Sequence, residues 1–208
     1  MIARKMKKKK YPNCDHAFLQ AKESKTEKKG IAIKQTAYHE AGHAVMAYIL
    51  HLRLKEVSII PTDDYLGVCI GGKRGNIDPE WDSSHKTRVE LERRAMQALA
   101  GNVAEHLLTG KRHRAGSYSD YHNVVNLLSC LAGDDEITYY ADWLWHRTKA
   151  TMGIDYWWLA VENVAEELLK NKHLKNKCVR EIIRRAIDED YRRKTGTKAL
   201  QSFTGKTA

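Results

Sequence analysis

Long hydrophobic runs are missing from this sequence of 208 residues. The longest unbroken apolar run, Ala44–Leu50, has seven residues, whereas a membrane-spanning helix needs about 20. No apolar segment follows the N-terminal lysines that end at Lys10, so the pattern of a secretory signal peptide is missing too. We therefore expect no contact with a membrane.

Paired cysteines and a nucleotide-binding P-loop are missing as well. The four cysteines lie far apart and form no C-x-x-C pair: Cys14, Cys69, Cys130 and Cys178. This spacing disfavours a zinc site made of thiolates and is typical of reduced thiols in a cytoplasmic protein. The glycine-rich segment 71–75 has neither the spacing nor the hydroxyl group of a P-loop. We expect no ATPase in these residues.

The net charge of +10 is concentrated at the two ends of the sequence. Residues 1–30 contribute +7 and residues 191–208 contribute +5, so residues 31–190 carry a net charge of −2. We expect a basic N-terminal arm over 1–30 that is flexible or weakly helical, a folded domain over 31–190 and a basic tail over 191–208. The Lys7–Lys10 run is typical of a solvated tail, and any attraction to nucleic acid through it would fade with salt.

The apolar pattern predicts a mainly α (α+β) fold with one small β-hairpin. Apolar residues at intervals of three and four predict a first helix over 37–52, capped by Thr36. Further helices are expected over about 86–108 (interrupted at Gly101 and capped by Gly110), 119–132, 134–152, 155–169 and 175–193. Strands are expected over 56–60 and 66–70, with a turn at 62–64 and loops at 71–84 and 111–118.

The motif that carries chemistry is His39-Glu40-Ala41-Gly42-His43, an H-E-x-x-H sequence within the first predicted helix. Residues four apart lie on one helix face, so both imidazoles can reach one metal ion, and imidazole nitrogen suits Zn²⁺. Glu40 can accept a proton from a water that attacks a carbonyl. Gly42 costs a helix about 1 kcal/mol relative to alanine. A purely structural helix gains nothing from this cost, so the glycine indicates that metal ligands or another backbone approach the helix closely. The motif itself does not name the third ligand.

Several blocks of this sequence resemble the peptidase domain of the FtsH family of ATP-dependent zinc metallopeptidases. These blocks keep the family's order and similar spacing: 36–45, 57–61 followed by 66–68, 100–105 with Gly110, and 116–120 with Asn126 and Leu127. The resemblance covers about 36–128 and implies a zincin-like helical metallopeptidase domain. The family's ATPase module and membrane helices have no counterpart in these residues.

By this resemblance, Asp120 matches the third zinc ligand and Glu40 matches the glutamate base. Glu105 matches an acidic residue close to the metal. The alternatives to Asp120 as third ligand stay open: Glu105, His122 or another residue. The resemblance also places the edge of the substrate cleft, along which an extended peptide could add as a strand, on four residues: Val57, Ser58, Ile59 and Ile60.

The leading hypothesis is an ATP-independent zinc peptidase that acts on peptides or unfolded chains. The alternatives are a binding or regulatory module that keeps zinc for stability, and a protease subunit that works with a separate ATPase. Trp143 and Trp145 lie two residues apart and cannot share a helix face. One of them is therefore a candidate for an interface, such as that of a homo-oligomer.

Overall fold

The structure is a computed structural model that describes residues 15–62, 66–71, 82, 84–111 and 118–204. The chain divides into two compact units, 1–32 and 33–208. The described residues form these elements in chain order: α1 (Asp15–Ile49), β1 (Leu54–Ser58), β2 (Val68–Gly71), α2 (His85–Thr109), α3 (Tyr118–Leu128), α4 (Asp134–Met152), α5 (Asp155–Asn171), β3 (His173–Lys175) and α6 (Asn176–Thr204). The prediction of a mainly helical fold with a small sheet is confirmed.

Some predictions fall on other residues and lie outside the described part of the chain. They concern the Lys7–Lys10 run, the turn at Asp63 and Asp64, most of the 71–84 loop and residues 112–117. Within the described part, no helix is long and apolar enough to cross a membrane.

The first helix begins much earlier than expected. The prediction that Thr36 caps it is wrong, because α1 starts at Asp15 and Thr36 lies inside it. Residues 15–36 contain no proline and a single glycine, so they hold no strong stop signal. The apolar pattern marks only the buried part of α1, which starts at Ala37. The helix ends at Ile49 because His51 takes a left-handed conformation with φ 56°.

The second helix is continuous, so the predicted interruption at Gly101 is wrong. It is capped at its start by Ser84, whose hydroxyl accepts from the Thr87 amide. It ends, as predicted, at Gly110, which has φ 71°. α2 packs against α3 and α4, while α5 packs against α6. The last helix runs to Thr204 rather than to residue 193.

The three strands form an antiparallel sheet in the order β2-β1-β3, which confirms the predicted hairpin of β1 and β2. β3 was not predicted, and it changes the role of β1. Val57 pairs with Cys69 on one side and with Leu174 on the other, and the Ile59 amide donates to the Lys172 carbonyl at 2.8 Å. The expectation that Val57, Ser58, Ile59 and Ile60 offer an open cleft edge is therefore wrong, because β3 and the residue before it cover that side of β1.

Candidate metal centre

Three side chains from two helices meet at one point. His39 and His43 project from successive turns of α1, and Asp120 lies in the first turn of α3. Nε2 of His39 lies 3.0 Å from Nε2 of His43 and 2.9 Å from Oδ2 of Asp120. Nε2 of His43 lies 3.4 Å from the same oxygen. Ligand atoms about 2.0–2.1 Å from a tetrahedral zinc ion are about 3.3 Å apart, so this triangle fits such an ion.

The outer nitrogens of the two imidazoles fix which ring nitrogens face the centre. Nδ1 of His39 lies 2.7 Å from Oε1 of Glu105, and Nδ1 of His43 lies 2.7 Å from the Gln97 carbonyl oxygen. Carboxylate and carbonyl oxygens accept hydrogen bonds, so each Nδ1 carries its hydrogen. In the neutral rings, two Nε2 lone pairs then point towards the same carboxylate. These lone pairs and the negatively charged carboxylate repel one another, and a cation at this point relieves the repulsion. Imidazoles that bind a metal ion through one nitrogen usually donate the hydrogen of the other nitrogen to such an oxygen.

The directions in which the pKa values of these groups are shifted show that the centre favours positive charge. Burial lowers the pKa of His39, but its hydrogen bonds with Asp120 and Glu105 outweigh burial and raise the pKa to about 10. Burial also lowers the pKa of His43, and the charge of Asp120 more than compensates. Burial would raise the pKa of Asp120, yet the nearby charge of His43 and its hydrogen bond with His39 hold it well below its usual range.

Two glycines let the helices approach closely enough to form the centre. A Cβ atom on Gly42 would lie 2.5 Å from the Ala100 carbonyl oxygen, so α1 packs directly on the backbone of α2. A Cβ atom on Gly101 would lie 2.5 Å from Nε2 of His39 and 2.6 Å from Nε2 of His43. Gly42 thus serves the helix packing, and Gly101 leaves space for the two imidazoles.

Glu40 is buried beside this centre, with 5% of its surface exposed. Burial raises the pKa of its carboxyl, although the charge of His43 opposes this shift. The residue just before β2 lies directly against it, since a Cβ atom on Gly67 would be 2.7 Å from Oε1 of Glu40.

Comparison with known proteins decides the family. A profile described as "Peptidase family M41" matches residues 24–131, which is more than half of the chain. The chain belongs to peptidase family M41. The human ATP-dependent zinc metalloprotease YME1L1 is 33% identical over 95 residues, which are 44% of this chain and 12% of that protein. The ATP-dependent zinc metalloprotease FtsH of Haemophilus influenzae is 33% identical over 97 residues, or 45% of this chain and 14% of that protein.

A third relative gives the same relationship. The ATP-dependent zinc metalloprotease FtsH of Pelobacter propionicus is 37% identical over 94 residues, which are 44% of this chain and 14% of that protein. This M41 chain therefore matches less than a sixth of the length of these relatives. The resemblance to the FtsH peptidase domain is confirmed, and the family supports a zinc-dependent metallopeptidase.

This M41 structure brings together only some of the site residues named from the sequence. Asp120 joins His39 and His43, while Glu105 contacts His39 through the nitrogen that points away from the centre. Nδ1 of His122 lies 3.0 Å from the side-chain nitrogen Nδ2 of Asn126. His122 is not in the metal-binding group found among the described residues. The four residues expected at the cleft edge lie in or next to β1.

Sequence reasoning missed three contributors to this M41 centre. The Gln97 carbonyl is a backbone group that any residue would supply, so no sequence signal marks it. Gly101 was interpreted as a helix interruption, although a glycine inside an otherwise regular helical pattern also indicates close approach. Gly67 was interpreted only as part of a strand, and its contact with Glu40 arises from the tertiary packing.

Proposed function

We propose that this chain is a zinc-dependent peptidase in which His39, His43 and Asp120 hold the metal and Glu40 is the general base. The observation that carries the proposal is the convergence of the three ligand atoms within 3.4 Å of one another. When bound there, zinc would polarise the substrate carbonyl and lower the pKa of an attacking water towards about 7. Membership of family M41 supports the same chemistry.

Glu40 is the residue that accepts the proton of the attacking water. Its carboxyl is adjacent in sequence to the ligand His39, and burial raises its pKa, which strengthens it as a base near neutral pH. Having taken the proton, Glu40 can pass it to the nitrogen of the departing amine. Glu105 and the Gln97 carbonyl keep the two imidazoles oriented throughout.

The substrate is a peptide or an unfolded segment that pairs with the outer edge of β2. Among the described residues, β2 is hydrogen-bonded to β1 on one side only, so its other side is free to accept an extended chain. Gly67, the residue directly before this strand, lies against the carboxyl of Glu40. A peptide on this edge would therefore run beside the general base. The edge of β2 takes the role that the sequence assigned to Val57–Ile60.

Peptide-bond hydrolysis at this centre is independent of ATP in our proposal. Metal ligands, base and strand edge together supply the chemistry, and none of these parts uses a nucleotide. The names of the relatives, which are ATP-dependent proteases, favour a second candidate: a protease subunit whose substrates are unfolded by a separate ATPase. In both cases a folded substrate is not cleaved by this chain alone.

Cleavage of an unstructured fluorogenic peptide, with and without ATP, tests the proposal. We expect cleavage that ATP does not change, that a zinc chelator abolishes and that added zinc restores. A tightly folded protein carrying the same peptide sequence is expected to stay intact. Cleavage that requires an added ATPase would favour the second candidate. Zinc binding without cleavage of any unstructured peptide would contradict both candidates and favour a non-proteolytic module.

A further inference from the structure

The outer face of α4 carries four side chains at intervals of four residues: Asp135, Tyr139, Trp143 and Arg147. We call this set the α4 stripe. Residues four apart form one continuous ridge on a helix surface. All four are exposed, and the two aromatic rings stand out, with 80% of Tyr139 and 50% of Trp143 accessible to solvent. By contrast Trp145, two residues further on, is buried in the core, so the two tryptophans lie on opposite faces as the sequence predicts.

Trp143 is held in place although it is half exposed. The guanidinium carbon of Arg147 lies 5.4 Å from its ring centroid, in a cation–π contact. On another side, the ring of Tyr140 lies 5.9 Å away, centroid to centroid. Tyr140 is itself fixed, because its hydroxyl donates to the Glu92 carboxylate of α2 at 2.5 Å. An exposed aromatic ring that is already ordered loses little entropy on binding, as in an interface anchor.

We propose that the α4 stripe binds the α4 stripe of a second copy of this chain, with the two helices antiparallel about a two-fold axis at the level of Ala141. Along the helix, the stripe presents an acidic residue, two aromatic residues and a basic residue. When a second stripe runs in the opposite direction, acid lies opposite base and aromatic lies opposite aromatic. Asp135 of one copy then faces Arg147 of the other, and Tyr139 faces Trp143. Each contact occurs twice, as in any interface related by a two-fold axis.

The charge distribution along α4 supports this partner and this direction. The helix begins with the acidic residues Asp134, Asp135 and Glu136, and the exposed basic residue Arg147 lies near its end. Antiparallel pairing places the acidic end of one helix beside the basic end of the other, whereas parallel pairing would oppose like charges. Ridges of the i±4 type pack against each other at a crossing angle of about −50°. The inference does not depend on the proposed peptidase activity.

Sedimentation equilibrium across micromolar concentrations tests the proposal, using exposed positions where substitution is tolerated. We expect the wild type to dimerise, and D135R and R147D each to weaken the dimer by about tenfold, because each breaks two ion pairs and creates two repulsions. The double variant D135R/R147D exchanges the charges and is expected to recover dimerisation in part, because it also removes the guanidinium that contacts the Trp143 ring. W143A removes the anchor and is expected to weaken the dimer, whereas Y191A, which removes another exposed aromatic ring on α6, is expected to leave it unchanged.

The charge exchange separates this geometry from a general effect of charge. The double variant has the same net charge as the wild type, so its recovery depends on Asp135 and Arg147 being opposite each other. High salt is expected to weaken the wild-type dimer, since exposed ion pairs are screened. A wild type that stays monomeric, a W143A variant that dimerises as well as the wild type, or a double variant as weak as the single ones would each overturn the proposal.

Discussion

Gly101 of α2 and His39 of α1 are in direct contact, since a Cβ atom on residue 101 would lie 2.5 Å from Nε2 of His39. Exchange of Gly101 for alanine would therefore push a methyl group against the atoms that face the metal. Alanine favours a helix over glycine by about 1 kcal/mol, so a loss of metal would not come from a weaker helix. We expect Gly101→Ala to keep its helical circular dichroism and to bind much less than one zinc ion per chain.

Gly196 provides the matched control for this substitution. It is also inside a helix, and a Cβ atom there would meet nothing within 4 Å. Gly196→Ala is expected to keep the zinc content of the wild type, measured by mass spectrometry of the metal. A Gly101→Ala variant with full zinc occupancy would show that the two helices are further apart than the structure describes.

Gly67→Ala tests the position of β2 against the general base. Its Cβ atom would lie 2.7 Å from Oε1 of Glu40, so the carboxylate or the strand must shift. Zinc content is expected to stay at the wild-type value, because the atoms nearest to this Cβ belong to Glu40 and Thr36 rather than to the metal ligands. The value of kcat is expected to fall by at least about tenfold, since the base is displaced. Gly71→Ala is the control, because its Cβ atom would be 3.6 Å from the nearest atom. Equal kcat values for the two variants would argue against Glu40 as the base.

Glu105 orients His39 without touching the centre itself. Glu105→Gln keeps the shape of the side chain and removes the charge that faces Nδ1 of His39. Loss of such an outer partner weakens metal binding by about 10–100-fold. We expect this loss in a competition titration with a zinc-binding dye. An unchanged affinity would mean that the contact of 2.7 Å has no influence on the ligand.

Proton release on zinc binding follows from the pKa of His39. In the metal-free chain this pKa is raised to about 10, so the ring is protonated at neutral pH and zinc must displace a proton. The same raised pKa stabilises the metal-free fold. This stabilisation is fully present below pH 6.5, the pKa of the histidine in the unfolded chain, and is lost as the pH rises through about 10. Calorimetry at about pH 8 in two buffers with different ionisation enthalpies is expected to give different binding heats and release of about one proton or more. Identical heats would contradict this.

The local part of the site could be predicted from the sequence. The spacing of His39 and His43 places both rings on one face of a helix whatever the rest of the fold does. Asp120 lies 81 residues and Glu105 lies 66 residues from His39 along the chain. No periodic pattern brings such distant residues together, and they were identified only through the resemblance to a family.

Other features could not be predicted because packing alone decides them. β3 has three residues, too few for a strand pattern, and its pairing with β1 moved the free sheet edge to β2. The beginning of α1 has no strong apolar pattern, since residues around Ile33 and Lys34 are exposed, so the helix was recognised only where it is buried. The contact of Gly67 with Glu40 likewise leaves no local signal, whereas the close approach at Gly101 left only a glycine inside a regular helical pattern.

The most direct test of the central claim is a paired measurement of zinc content and peptide cleavage in the wild type and in Glu40→Gln. Glu166→Gln, at an exposed glutamate of α5, is the control for the loss of one carboxylate. We predict about one zinc ion per chain in all three proteins, and a rate of cleavage at least about 100-fold lower in Glu40→Gln alone. A zinc-free wild type, or a Glu40→Gln variant that cleaves as fast as the wild type, would contradict a zinc peptidase with Glu40 as its base.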